Sequence, residues 1–225
     1  MRTVAIVQAR TTSERFPMKI FAGIGGRPML SHVLERAAAI KGIDQVVLAV
    51  PENDVKLVSH LWPHVYGGSE KDVLSRYAGA AEWCEANVII RVTGDTPLLA
   101  PDLISWGLHK YITESRFGYF PLCQPYEKVA DGWDGEIFTN YEIQQASKSA
   151  NKDQREHVTT FFRDRMSCYS PCMFLDETED YTPLKCSVDT REDIERVNKI
   201  YDHLEDKKDF SHMATWQAWE RAGKP

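Results

Sequence analysis

Residues 3–19 read TVAIVQARTTSERFPMK. Thr3 to Val7 is an unbroken β-branched and apolar run, the pattern of a strand buried on both faces. The segment from Ala9 to Lys19 then carries Arg10, Arg15 and Lys19, hydroxyls at Thr11, Thr12 and Ser13, and Pro17, and reads as a loop. In open parallel sheets, ligands bind outside the carboxyl ends of the strands. This loop holds what a triphosphate requires: backbone N–H groups, hydroxyls and several cations. A solvated basic turn is the plainer reading of the same residues. The loop lacks GxGxxG and GxxxxGK[ST], so dinucleotide and P-loop sites are excluded.

Outward from this stretch, strand and helix patterns alternate. Pro28 suits a first helical turn, and Met29, Val33, Leu34 and Ala37 then share one helical face up to Gly42. Gln45 to Val50 is a second apolar strand. Asp54 is a cap for a short helix to Leu61, Val65 and Tyr66 a short strand, and Ser69 a cap for a helix from Lys71 to Cys84. Asn87 to Val92 is a further buried strand, ending at Thr93-Gly94-Asp95. In the second half, 117–122, 136–139, 168–174 and 184–188 are strand candidates, and 140–150 and 156–166 helix candidates. Arg191 to Leu204 is a final long helix capped by Thr190. The expectation is one α/β domain over residues 1–225, Rossmann-like. Its sheet is mostly parallel with helices on both faces, and its second half is mixed and irregular from about 117 to 183.

The composition is that of a globular chain: 225 residues, 43% hydrophobic and 27% charged. Its 27 Lys and Arg against 33 Asp and Glu give a net charge of −6. A general nucleic-acid or anionic-membrane surface would need a basic excess, so neither is an expected partner. No apolar run approaches the roughly 20 residues of a membrane span, and the apolar start is too short for a signal peptide. Cys84, Cys123, Cys168, Cys172 and Cys186 are odd in number and scattered, which suits reduced thiols in a cytoplasmic protein.

Two further strand ends carry acids. Val92 to Pro97 reads VTGDTP and Ser187 to Asp193 reads SVDTRED. Asp95 and Asp189 close strands, and Asp193 lies one turn into the next helix. Each suits a turn or cap. Two strand-end aspartates could equally hold one Mg²⁺ between them, since that ion takes one or two carboxylates plus substrate phosphates.

Taken together, VAIVQARTTSERFPMK, GSEKDVLSRY, IRVTGDTPLL, DGWDGEIF, REHVT and SVDTRED occur in that order. With them the chain resembles the cytidylyltransferases of the spore-coat polysaccharide type, relatives of the CMP-sialic acid and CMP-KDO synthetases. The resemblance spans roughly residues 3 to 205 and implies a nucleotidyltransferase fold. It implies transfer of CMP from CTP to a small sugar or sugar-acid-like acceptor, with Mg²⁺ and release of pyrophosphate. Val7, Gln8, Ala9 and Arg10 would meet the cytosine. Arg10, Ser13 and Lys19 would hold the triphosphate, with Asp72, Arg76 and Gly94 beside the nucleotide. Asp95 and Asp189 would hold the metal. Asp134, Glu136, Arg155 and His157 would lie toward the acceptor. A homodimer is also implied, and Phe117, Tyr119, Phe120, Tyr126 and Trp133 suit either an interface or a core.

The chain departs from the family pattern at Thr12 and Glu14, where small Gly and Thr are usual, at Met18, where Gly is common, and at Ala130, where proline stands. A non-catalytic nucleotide-sugar-binding protein and a glycosyltransferase-like enzyme are the alternatives. The latter often carries a short Asp-x-Asp metal motif at a strand end, which is absent from this sequence.

Overall fold

The computed structural model describes residues 1–114, 118–122, 128–165 and 180–225. In chain order the elements begin with β1 (Thr3–Gln8), a two-residue pair β2 (Gly23–Ile24) and β3 (Arg27–Pro28), then α1 (Met29–Ala38) and β4 (Gln45–Pro51). They continue with α2 (Val55–Val58), β5 (Val65–Gly68), α3 (Val73–Trp83), β6 (Val88–Thr93) and α4 (Pro101–Glu114). The second half has β7 (Tyr119–Pro121), β8 (Glu136–Thr139), α5 (Asn140–Ser149), α6 (Lys152–Glu156), α7 (Thr160–Arg163), α8 (Arg191–Asp202) and α9 (His212–Arg221).

Six strands form one sheet in the order β5-β4-β1-β6-β8-β7. The first four run parallel, and β8 pairs antiparallel with both β6 and β7. The two-residue period of a strand divides β1 between two cores. Ala5 and Val7 belong to the layer of α1, α4, α8 and α9, while Val4 and Ile6 belong to that of α3, α5 and α7. With both faces covered, the strand is apolar from Val4 to Val7, and polar side chains resume at its last residue, Gln8.

The mostly parallel sheet and its helical layers match the sequence expectation, and several segments differ. Helices α4 and α9 lie outside the expected elements. The signal for α4 was present: Pro101 opens the helix, and Leu103, Ile104, Leu108 and Tyr111 are its buried stripe. Helix α9 is short, and it docks on α4 through His212, whose backbone N (3.2 Å) and Nδ1 (2.6 Å) face the Asp102 carboxylate. Residues 184–188 are not a strand. Leu184, Cys186 and Val188 are fully buried, so the alternation is real. Their backbone partners are loops instead: Cys186 N donates to Asp131 O (2.7 Å) and Val188 N to Asp95 O (2.9 Å). Within the expected helix 156–166 the described residues form α7 alone; α6 ends at Glu156, and buried Val158 between them takes a left-handed φ of 39°.

Ser69 does not cap α3; Asp72 does, accepting from Ser75 N. Asp54 precedes α2 without capping it. Tyr119, Phe120 and Trp133 fill the core; Phe117, Tyr126 and the strand candidate 168–174 lie outside the described residues. Cys84 and Cys186 are buried free thiols, and the other three cysteines lie outside the described residues. Among the described residues, no helix is long and apolar enough to cross a membrane.

The turn before α8 is held from below. Thr190 and Asp193 form a reciprocal capping box, and the buried Asp193 carboxylate also accepts from Asp189 N (2.8 Å) and pairs with Arg196 (2.7 Å). Burial alone would raise the Asp193 carboxyl, but the N–H groups of Asp189 and Thr190 and the Arg196 guanidinium outweigh it and hold it well below the usual range. Its folded-state pKa is thus depressed. Its stabilisation is complete above the unfolded Asp value of about 3.9 and is lost as pH falls below it. Asp193→Ala is expected to cost about 2–3 kcal/mol near pH 7, the scale of buried hydrogen bonds to a charged group. Urea unfolding at pH 7 and at pH 3 checks this, the gap from wild type narrowing at the lower pH.

Candidate active site

The parallel register sets Gln8 beside Thr93, so β1 and β6 end level. Gly94 N then donates to Gln8 O (2.6 Å), closing the two strand ends together. A Cβ at Gly94 would stand 2.7 Å from Gln8 O and 2.9 Å from the Ala9 Cβ, so this approach requires glycine.

The loop leaving β1 is anchored at both ends. Thr11 donates from its backbone N (2.9 Å) and its hydroxyl (2.7 Å) to the buried Asp54 carboxylate. Met18 N returns to Thr11 O (2.9 Å), and the Thr12 hydroxyl donates to Glu70 (2.6 Å). Met18 takes φ 60° and ψ 19°, the left-handed region, which accounts for glycine being common there in the resembled family. That turn sends Lys19 back across the strand ends.

Lys19 Nζ donates to Asp95 Oδ2 (2.9 Å), to Val188 O (2.7 Å) and to Asp189 Oδ1 (3.3 Å). Arg15 reaches the same Asp189 oxygen at 3.0 Å. The Lys19 side chain is 12% exposed and the two carboxylates 32% and 31%, so the charges meet at the wall of an open cleft. That cleft holds about 650 Å³. Gln8, Ala9, Arg10, Ser13, Lys19, Gly94, Asp95 and Asp189 all line it, and so does His157 from across the sheet. The loop after β1, the end of β6 and the turn before α8 thereby present hydroxyls, cations and carboxylates to one space. This arrangement can hold a polyphosphate, with the cations on its oxygens. Among the described residues, no three His, Cys, Asp or Glu side chains cluster as a metal site. Among the carboxylates of the cleft, Asp95 and Asp189 could meet a hard cation.

The other predicted residues stand apart from the cleft wall. Val7 is fully buried in β1. Asp72 pairs with Arg155 (2.8 Å), which also donates to Ser147 O (2.8 Å). Arg76 is fully buried; it donates to Ser69 O (2.5 Å), while its Nε and Nη2 have no partner among the described residues. Asp134 is exposed, whereas Glu136 is only 4% exposed. Glu136 accepts from Arg91, from the Tyr119 hydroxyl (2.6 Å) and from Arg163 (3.1 Å). Burial would raise its carboxyl, but Arg91, the Tyr119 hydroxyl and Arg163 overcome that and lower it. Glu70, Arg91 and Arg163 were not singled out from the sequence, and Asp54 only as a helix cap. The available signal was Arg91, a cation inside the apolar run Ile89-Ile90-Arg91-Val92.

Comparison with known proteins places this geometry among relatives. A family model described as cytidylyltransferase matches residues 4–215. The chain is 30% identical over 219 residues to the spore coat polysaccharide biosynthesis protein SpsF of Bacillus subtilis, covering 92% of this chain and 89% of that protein. It is 32% identical over 117 residues to the 3-deoxy-manno-octulosonate cytidylyltransferase of Pelobacter propionicus, covering 51% of this chain and 46% of that one. A solved cytidylyltransferase structure from Leptospira borgpetersenii superposes with a TM-score of 0.88 at 24% identity, over 99% of this chain and 95% of that one.

Two substitutions test the loop. Met18→Gly is expected to stabilise by up to about 1 kcal/mol, because the left-handed strain of about 1–2 kcal/mol exceeds glycine's entropy cost of about 0.5–1. Met18 is 46% exposed, so little packing is lost. Gly94→Ala should destabilise by about 1–3 kcal/mol, the range for overpacking. Thermal unfolding of both variants gives the two signs.

Proposed function

The chain belongs to the cytidylyltransferase family and is a CTP-dependent nucleotidyltransferase, and on that premise we propose that it transfers CMP to a small sugar or sugar-acid-like acceptor with release of pyrophosphate, in the presence of Mg²⁺. The observation that carries this reading is Lys19 Nζ between Asp95 and Asp189 at the rim of the 650 Å³ cleft. The name of the Pelobacter relative supports a sugar acid as acceptor, over the portion of the chain it matches.

The two carboxylates fit Mg²⁺ by donor type and placement. Both are part-exposed and face one ammonium, and each engages Lys19 or Arg15 through a single oxygen. Asp95 and Asp189 would hold the ion, which when bound supplies charge to offset the phosphate oxygens.

The residues of the chain then divide the work. The loop N–H groups, Ser13 and Arg10 hold the triphosphate against the strand ends. An acceptor oxygen attacks the α-phosphorus, the hydroxyl proton is released, and the bond to the β-phosphate breaks with its electron pair leaving on pyrophosphate. Lys19 and Arg10 offset the charge growing on the transferred phosphate and the leaving group. Asp193 keeps Asp189 aimed at the cleft through its backbone N–H.

The test is pyrophosphate release with each of the four nucleoside triphosphates and a panel of sugar and sugar-acid acceptors, with CTP expected to be the nucleotide used. Asp95→Asn and Asp189→Asn should each abolish Mg²⁺-dependent turnover with the fold intact by circular dichroism. Near-normal rates at saturating Mg²⁺ would remove the metal assignment. Lys19→Ala and Arg10→Ala should lower kcat by about 10²–10³-fold, the effect of deleting one charge-stabilising donor. Arg15, 68% exposed, should matter far less when replaced by alanine.

A further inference from the structure

A separate recess of about 480 Å³ shares no lining residue with the cleft described above. It opens where α1, the segment after α2 and the end of α8 meet the connection to α9. Its walls carry the rings of Trp62, Tyr201 and Phe210. The buried His32 ring joins them from α1, 5.0 Å from that of Tyr201. Trp62 is fixed by its indole N–H, which donates to Val46 O (2.9 Å). Phe210 is backed by the Arg36 guanidinium, 4.9 Å from the ring centre. Small-molecule sites are built this way: roughly 300–1,000 Å³, mostly apolar and aromatic walls, and a few polar groups.

The rim is cationic, in a chain whose net charge is −6. Arg27, Lys207 and Lys208 line it against one carboxylate, Glu35. Arg27 forms a two-pronged pair with Glu35, so those two charges cancel. Lys207 Nζ donates to Tyr201 O and lies 4.6 Å from the centre of the Tyr201 ring. Lys208 donates from its backbone N to Asp206 (2.8 Å), and its ammonium has no ion-pair partner among the described residues. The neighbouring acids are engaged elsewhere. Asp206 and Asp209 accept from the backbone N–H groups of Lys208 and Ser211, and Glu205 pairs with Arg221. Burial lowers the His32 imidazole, so it stays neutral near pH 7 and adds no charge. Two ammonium groups beside a set of rings suit an anion carried on a flat aromatic body: the body stacks, and the charge reaches the rim.

Two walls of this recess lead back to the cleft. The β2–β3 hairpin follows Lys19 and carries Arg27, and α8 follows Asp189 and carries Tyr201. Asn198 of α8 clamps the hairpin, its Nδ2 donating to Gly23 O (2.9 Å) and its Oδ1 accepting from Gly25 N (3.2 Å). A Cβ at Gly25 would overlap the Tyr201 ring. The hairpin and α8 therefore touch at the ring a ligand would press on.

We propose that this recess is an effector site for a small planar aromatic anion, stacked on Trp62 and Tyr201 with its charge at Lys207 and Lys208, and that its occupancy shifts the Lys19–Asp189 contact through the hairpin and α8. Coupling of this kind travels through contiguous packed elements, which these two supply. No particular nucleotide in the cleft is required.

Two matched pairs serve as probes: 2-naphthoate against 2-naphthamide, and AMP against adenosine. Protein labelled with 5-fluorotryptophan reports binding through the ¹⁹F resonance of Trp62, assigned by its absence in Trp62→Phe. A saturable shift is expected with at least one anion, its Kd at least about threefold below that of its neutral partner. Whichever pair responds distinguishes an aromatic carboxylate from a nucleotide. The double variant K207Q/K208Q changes two exposed side chains and should raise that Kd at least about threefold. A static Trp62 resonance with both anions, equal affinity for anion and neutral partner, or an unchanged Kd in the double variant would overturn the site. Selective ¹⁵N labelling of lysine and aspartate reads the coupling. The Lys19 and Asp189 amides are expected to shift with the Kd read at Trp62, and to follow its rise in the double variant. Amides that stay still at saturation would overturn the effector role.

Discussion

The contact on which the site depends is the ammonium of Lys19 held between Asp95 and Asp189, 76 and 170 residues away in the chain. Each of the three arrives by a different route. Lys19 is turned inward by the left-handed Met18, Asp95 follows the glycine that clamps β6 to β1, and Asp189 is fixed by the cap of α8. Lys19 and Arg15 together balance these two carboxylates, and Arg10 adds a further cation to the cleft. The cleft therefore suits a polyanion best together with an added cation that draws on the two carboxylates.

The scaffold makes this contact possible by denying alternatives to the backbone. With β1 covered on both faces, its first side chains are all spent on packing, at about 1.5–3 kcal/mol for each large apolar group buried. Polar chemistry can begin only where the strand leaves the sheet. Asp54 then does for the loop what a ladder does for a strand, giving Thr11 two hydrogen bonds inside the protein. A loop held this way presents its remaining N–H groups without first losing them to disorder.

The antiparallel edge serves a different purpose. Because β8 runs against β6, Glu136 sits opposite Arg91 in the register, and a charge pair can be built into the sheet itself. The pair is buried, so it brings specificity of placement more than stability. Arg91 lines a smaller recess beside the main cleft, which Arg163 also lines from α7.

The sequence by itself determined the parallel half of this protein, because strand patterns there are long, apolar and separated by caps. It also marked Arg10, Ser13, Lys19, Asp95 and Asp189, since polar residues at the ends of buried runs have few other places to be. It did not separate the residues that touch the cleft from those that support it. Asp54, taken for a helix cap, serves the loop; Glu136 and Arg155, taken for acceptor contacts, are held by protein partners; and 184–188 alternates like a strand while bonding to loops. Those outcomes depend on which distant segment supplies the partner, and local periodicity carries no information about that. Only the tertiary structure decided it, by bringing residues 17 to 93 positions apart in the chain within hydrogen-bond distance.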